Sequence, residues 1–276
     1  MNLVVQGPAM TADQATALAR LAGSARLLKI GERAWRIENA APAHEIPLYC
    51  ENARIDFAFV PEGRRFADLK LLAMDMDSTL ITIECIDELG DFAGRKREVA
   101  AITAQAMRGE LDYPESLRKR VGVLAGLEAS VLERVYAERL RLTQGAEALV
   151  AKCKASGVKL LLVSGGFSFF TERLRERLGL DYAISNRLEI VGGKLTGKLI
   201  GEVVDAQAKA ARFSSVMKEL SADKEQTVAI GDGANDLKMM ALAGYSVAFR
   251  AKPLVREQAS CALSYCGLDG VVNLFA

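Results

Sequence analysis

The sequence predicts an α/β protein: a parallel sheet with a helical cap inserted in it, preceded by a small α+β domain of ferredoxin-like order. Three observations carry this. Short, near-continuous apolar runs recur from residue 69 onward: "KLLAMDMD", "KLLLVSGG", "DYAISNRLEI", "QTVAIGDG" and "YSVAFRA". Strands apolar along their whole length belong to a parallel sheet that helices cover on both faces. Between the first and second run, residues from about 81 to 144 are charged, helical in pattern and without strands. Finally, three runs end in polar chemistry, and in an open α/β sheet the ligand crevice lies beyond the carboxyl ends of the strands.

The elements follow in order. "NLVVQ" reads as a strand, and "TADQATALARLAG" as a helix with Thr11 as N-cap and Gly23 at its end. "ARLLKI" and "RAWRIE" flank Gly31 and Glu32 as a hairpin. "EIPLYCENARI" is a weaker helix and "DFAFV" a further strand, giving the order βαββαβ. "PEGRR", residues 61–65, reads as the linker. The expected organisation is therefore an N-terminal accessory domain over 1–66 and a second domain over 67–276. The latter divides into a core (67–80 and 145–276) and a cap (about 81–144). "LEIVGGKLTG" is a hairpin turning on Gly192 and Gly193.

Bulk properties exclude several classes. The formal net charge is +1, which gives no electrostatic footprint for nucleic acid or an anionic membrane. No apolar run reaches the length of a membrane span, and the N-terminus lacks the basic start and long apolar centre of a signal peptide. Five cysteines without a C-x-x-C pair disfavour a disulfide framework or a zinc site and point to a reducing cytoplasm. The single histidine, His44, lies far from the acidic cluster, so histidine-based catalysis is disfavoured.

The chemistry sits at the strand ends. In "LLAMDMDSTLI", Asp75 and Asp77 follow a buried run two residues apart, so in extended chain they share a face. Adjacent carboxylates repel unless a cation or a proton lies between them. A plain turn in which aspartates cap the next helix is the alternative. The functional reading is a hard-cation site, most simply Mg²⁺, whose carboxylate can attack phosphorus. "GDGANDL" supplies Asp232 and Asp236 as metal ligand and supporting acid, with Asn235 able to reach substrate. Its glycine spacing misses the dinucleotide fingerprint, because Asp236 stands in place of the last glycine. Ser164, Gly165 and Gly166 precede a helical run and read either as an anion site or as a plain strand-to-helix turn. Lys209, in "DAQAKAAR", is by itself a solvated lysine. An acidic cluster facing phosphate nevertheless calls for a fixed positive charge.

Asp75-Met76-Asp77-Ser78-Thr79, Ser164-Gly165-Gly166, Lys209, and Gly231-Asp232-Gly233-Ala234-Asn235-Asp236 resemble, in order, the four motifs of the haloacid dehalogenase superfamily of phosphohydrolases, over about 69–250. Within it, "DSTLITIECIDELG", "SLRKRVGVLAG", "LLLVSGGF", "ISNRLEIVGGKLTGKLIGEVV" and "AIGDGANDLKMMALAG" resemble the phosphoserine phosphatases. The resemblance implies a Rossmann-like, haloacid dehalogenase-like core and hydrolysis of O-phospho-L-serine with Mg²⁺, the last step of serine biosynthesis. It implies Asp75 as nucleophile and Asp77 as proton donor and acceptor. The metal would be held by the Asp75 and Asp232 side chains and the Asp77 main-chain carbonyl, with Asp236 in support. Ser164, Gly165, Gly166, Lys209 and Asn235 would meet the phosphate end of the substrate. Glu84 would hold the serine ammonium and Arg120 its carboxylate, while Met107 and Tyr113 close over it. Tyr113 stands where the family pattern suggests Phe. Without the resemblance, Glu84 and Arg120 read as a solvated helix face. Element order alone likens the N-terminal domain to ACT-like regulatory domains, which leaves open an amino-acid effector there and a homodimer. Phosphoryl transfer to another alcohol such as homoserine, and an inactive amino-acid sensor, are the rival classes.

Overall fold

The computed structural model describes residues 1–275. Its first sheet is antiparallel, formed by β1 (Asn2–Gln6), β2 (Leu27–Gly31), β3 (Ala34–Ile37) and β4 (Asp56–Val60) in the order β2-β3-β1-β4. Helices Ala12–Leu21 and Glu45–Ala53 complete the βαββαβ order. The first is fixed by a capping box, in which Gln14 N–H donates to Thr11 and Thr11 N–H to the Gln14 side chain.

Both faces of this sheet are covered. Leu3, Val5, Trp35 and Ile37 pack with Leu18, Ile46 and Cys50 of the helices. Val4, Ala58 and Val60, pointing the other way by the two-residue alternation of a strand, join the hydrophobic core of the rest of the chain. Polar contacts seal the junction. The buried Asp56 carboxylate accepts backbone N–H bonds from Ser264 (2.7 Å), Tyr265 (3.0 Å) and Cys266 (2.8 Å). Gln6 donates to the Gly270 carbonyl at 2.9 Å and accepts from Asn273 at 2.7 Å.

The second sheet contains β5 (Leu71–Met74), β6 (Lys159–Phe167), β7 (Tyr182–Val191), β8 (Lys194–Ile200), β9 (Thr227–Gly231), β10 (Tyr245–Phe249) and β11 (Cys261–Leu263). Its order is β11-β10-β9-β5-β6-β7-β8, parallel throughout except that β8 returns antiparallel to β7. The five apolar runs are β5, β6, β7, β9 and β10. They are apolar along their length because the two faces belong to different cores. Leu72, Met74, Leu160 and Leu162 face one core, while Leu71, Ala73, Leu161 and Val163 face another with Phe213 and Val216. β11 is a further strand that the sequence reading did not resolve. Three residues are too few to show a period.

The cap comprises helices Cys85–Phe92, Lys96–Met107, Tyr113–Val123 and Ser130–Arg134. Its entry and exit are tied together: Thr82 N–H donates to the Arg141 carbonyl and Thr143 N–H to that of Leu80, both at 3.0 Å. The far end rests on the β7–β8 hairpin, through Gly126 N–H to the Leu195 carbonyl (2.8 Å) and Ala129 N–H to that of Gly193 (2.7 Å). Among the described residues, no helix is long and apolar enough to cross a membrane.

Candidate active site

The central strands β9, β5 and β6 end level with one another, since Met74 pairs with Ile230 on one side and Leu162 on the other. Asp75 therefore emerges beside Gly231, and its N–H takes a last ladder bond to the Ile230 carbonyl at 3.0 Å. The chain then makes one wide kinked turn over Met76–Leu80, in which Asp77 is extended and Ser78 adopts a left-handed φ of +57°. That turn brings Asp77 back to the cavity that Asp75 also lines.

Lys209 is fully buried, so the solvated-lysine reading does not hold. Its Nζ donates to Asp75 Oδ1 at 2.7 Å and Asp236 Oδ1 at 2.8 Å. Asp236 also accepts from Gly233 N–H at 3.1 Å, so both its oxygens are engaged. Burial alone would lower the Lys209 ammonium, but Asp75 and Asp236 hold it above its ordinary range. Burial raises the Asp75 carboxyl, against the pull of Lys209 and with a further push from Asp236. Asp232 is raised to about 7, by burial and then by Asp236. Carboxylate oxygens of Asp75, Asp232 and Asp236 lie within 4.8 Å of one another. Three carboxylates crowd together beside the Lys209 and Lys252 ammoniums, and oxygen donors at this spacing suit a hard divalent cation.

Asp77 is held by the cap. Its Oδ1 accepts Cys85 N–H at 3.1 Å, a donor from the first turn of helix Cys85–Phe92. Burial, and next the charge of Glu84, raise its carboxyl to about 7. It is thus balanced between acid and base near neutrality.

Ser164, Gly165 and Gly166 do not sit in a plain strand-to-helix turn. β6 continues through them to Phe167, and the register with β7 shifts between Val163 and Phe167, as in a bulge. The buried Ser164 hydroxyl accepts Gly166 N–H at 2.8 Å. Both glycines leave room for functional side chains. A Cβ on Gly165 would collide with the Tyr113 hydroxyl, and one on Gly166 would lie 2.7 Å from Asp77 Oδ2 and 3.0 Å from Ser164 Oγ.

Glu84, Arg120, Tyr113 and Met107 form the cap side of a cavity of about 660 Å³, which Asn235 meets from the core. Glu84, exposed at the cavity wall, accepts a 2.6 Å bond from the Ser78 hydroxyl. Arg120 lines the same cavity, and its buried Nε has no hydrogen-bond partner among the described residues. Tyr113 lies against Gly165, its phenol pushed up to about 12 by burial. Met107 lines the rim but is 73% exposed, and Asn235 is half-buried beside Gly233. Ser164, Lys209 and Asp236 lie beneath the cavity floor rather than on it. The sequence reading missed two contributors: the Cys85 N–H, and Asn186 on β7, which touches the glycine pair. The one signal for Asn186 was an amide within an otherwise strand-like run.

A sequence model of the haloacid dehalogenase-like hydrolases matches residues 72–241, and one described as a domain of unknown function (DUF4072) matches residues 3–46. Over 215 residues the chain is 53% identical to a phosphoserine phosphatase of Polaromonas sp., covering 76% of this chain and 91% of the relative. The fold is similar to that of a probable phosphoserine phosphatase from Vibrio cholerae, solved unliganded. That likeness has a TM-score of 0.87 and 39% identity, over 99% of this chain and 86% of the other. It is also similar to a structure described as a phospho-aspartyl intermediate analogue of phosphoserine phosphatase, with a TM-score of 0.71 and 40% identity over 75% of this chain and 99% of that one.

Proposed function

The chain belongs to the haloacid dehalogenase-like hydrolases, and from that premise we propose that it hydrolyses O-phospho-L-serine to L-serine and phosphate through an aspartyl-phosphate, the last step of serine biosynthesis. The observation that carries the reading is the pairing of two halves across one cavity. Asp75 and Asp77 form its floor, and a buried, unpartnered Arg120 Nε belongs to the opposite wall. A guanidinium in that state is an open donor for a carboxylate.

Asp75 attacks phosphorus in line with the serine oxygen, and the P–O bond to serine breaks as the bond to the Asp75 oxygen forms. Asp77 gives its proton to the departing serine oxygen. It then removes a proton from the water that attacks the aspartyl-phosphate, so phosphate leaves and Asp75 is restored. Lys209 neutralises the charge around Asp75, and the Ser164 hydroxyl and the backbone of the glycine pair steady the phosphoryl oxygens. Asn235 reaches the same end of the substrate. At the other end Glu84 binds the ammonium and Arg120 the carboxylate, with Tyr113 and Met107 closing over the bound serine.

The acidic cluster fits a divalent cation. We assign it Mg²⁺, held by Asp75, Asp232 and the Asp77 main-chain carbonyl, with Asp236 fixed alongside by Lys209 and Gly233. When bound it offsets the negative charge of the aspartates and of the phosphoryl group. The test is phosphate release from a panel of phosphomonoesters with and without Mg²⁺. O-phospho-L-serine should lead the panel and require the ion; equal rates across the panel would contradict the assignment.

A further inference from the structure

We propose that Asn186 is a positioning residue for the phosphoryl site, a single buried side chain that sets the orientation of the glycine-pair peptide and ties it to the helix carrying Lys209. The inference rests on the phosphatase reading above.

Asn186 is on β7, directly opposite Phe167, where the β6 bulge ends. A bulge leaves backbone groups without ladder partners. Here the Gly165 carbonyl is one of them, and Asn186 Nδ2 donates to it at 2.8 Å. In a trans peptide the carbonyl and the following N–H point in opposite directions. Fixing the Gly165 carbonyl therefore fixes the Gly166 N–H, which donates to Ser164 Oγ. That second bond uses one of the hydroxyl's two lone pairs and leaves its proton for a phosphoryl oxygen.

The device answers a specific problem. Tyr113 and Asp77 crowd positions 165 and 166 so closely that a Cβ at either would have to displace one of those side chains. A peptide flanked by two glycines is also the least restrained kind in a chain. Without an external contact it is free to flip and carry the Gly166 N–H away from Ser164.

The other end of the same amide reaches a second element. Asn186 Oδ1 accepts Val204 N–H at 2.8 Å. The next residue, Asp205, is the N-cap of helix Ala206–Glu219 and accepts Ala208 N–H at 2.8 Å. Lys209 lies in the first turn of that helix, with its own N–H bonded to the Asp205 carbonyl at 2.9 Å. Asn186 is buried, and both ends of its amide are used. It thus closes a path from Ser164 through the glycine pair to the helix that presents Lys209 to Asp75.

Two variants separate this role from a general contribution to folding. Asn186→Asp keeps an acceptor for Val204 and turns an oxygen against the Gly165 carbonyl. Asn186→Leu keeps the volume and loses both bonds. Each is assayed for turnover of O-phospho-L-serine, inhibition by orthovanadate as a mimic of the phosphoryl transition state, and inhibition by L-serine. We expect folded proteins in which turnover and vanadate affinity both fall by about 100-fold, the scale of an ångström-sized misplacement, while L-serine affinity is unchanged. Three results would overturn the proposal: parental turnover and vanadate affinity, a parallel loss of vanadate and L-serine binding, or unfolding of both variants at 25 °C, which would make the amide a keystone of the fold. If the parent protein itself releases no phosphate from phosphoserine, the phosphatase reading fails instead, and the vanadate arm still reports on the glycine pair.

Discussion

The floor and the cap wall of the cavity are built differently. At the floor and directly beneath it, Asp75, Lys209, Asp236 and Ser164 are buried and held by bonds of 2.7–2.8 Å. On the cap wall, Glu84 rests on Ser78, Arg120 Nε has no partner among the described residues, and Met107 is mostly exposed. The contrast teaches how the work is divided. Phosphoryl chemistry needs donors and charges that do not reorganise during the reaction, and the side chains around Asp75 are already fixed to one another without substrate. On the cap wall the proposed recognition of serine is left unfinished, and in that reading the substrate's own ammonium and carboxylate would complete it.

The sharpest way to break the comparison is at the nucleophile. Asp75→Asn keeps the shape of the floor and removes the attacking charge, so turnover should fall on the order of 10⁴- to 10⁶-fold, as for other single members of a catalytic unit. Phosphate release together with circular dichroism would show activity gone and fold retained.

Lys209 should cost the fold as well as the reaction. Lys209→Met strands two buried carboxylates, and breaking a buried pair by removing one partner costs about 3–5 kcal/mol. Denaturant unfolding at neutral pH would measure the loss. Unchanged stability would mean that the floor is not the rigid unit described.

The cap wall should respond selectively. Glu84→Gln and Arg120→Ala each remove a charge-assisted contact worth about 1.5–3 kcal/mol, roughly ten- to a hundredfold in kcat/KM. That loss should appear with phosphoserine and not with an aryl phosphate, which lacks both groups. Equal losses on both substrates would indicate damage to cap closure instead.

A smaller effect tests Asp77 by pH. Burial raises Asp77 from its ordinary 3.8 to about 7. The folded chain therefore binds this proton more tightly than the unfolded chain does. The stability it contributes is full below about pH 4 and is lost as pH rises towards 7. Asp77→Asn should leave metal-free stability unchanged at pH 4 and raise it at pH 8 by at least one pKa unit's worth, about 1.4 kcal/mol. Calorimetry at the two values decides it, and a variant less stable at pH 8 would reverse the sign.

What the sequence revealed follows from the range of the interactions. Strand ends are local features, so Asp75, Asp77 and Asp232 were legible from short runs and their order. Lys209 needed the family pattern, because nothing in "DAQAKAAR" tells a buried lysine from a solvated one. Asn186 was not legible, because its partners lie 21 and 18 residues away across a bulge, and bulges leave no periodic trace. The N-terminal sheet carries a further legible signal. Leu3, Val4 and Val5 are apolar in succession and all buried. A strand with one solvated face would have alternated instead. That run already indicated a sheet packed on both sides, against its own helices and against the rest of the chain.

The most direct test of the floor as a phosphoryl-transfer site is a rapid-quench experiment with phosphorus-labelled O-phospho-L-serine, followed by mapping of the trapped label. The account predicts a burst of protein-bound phosphate carried by Asp75 and absent from Asp75→Asn. Label on another residue, or phosphate release without any bound intermediate, would contradict it.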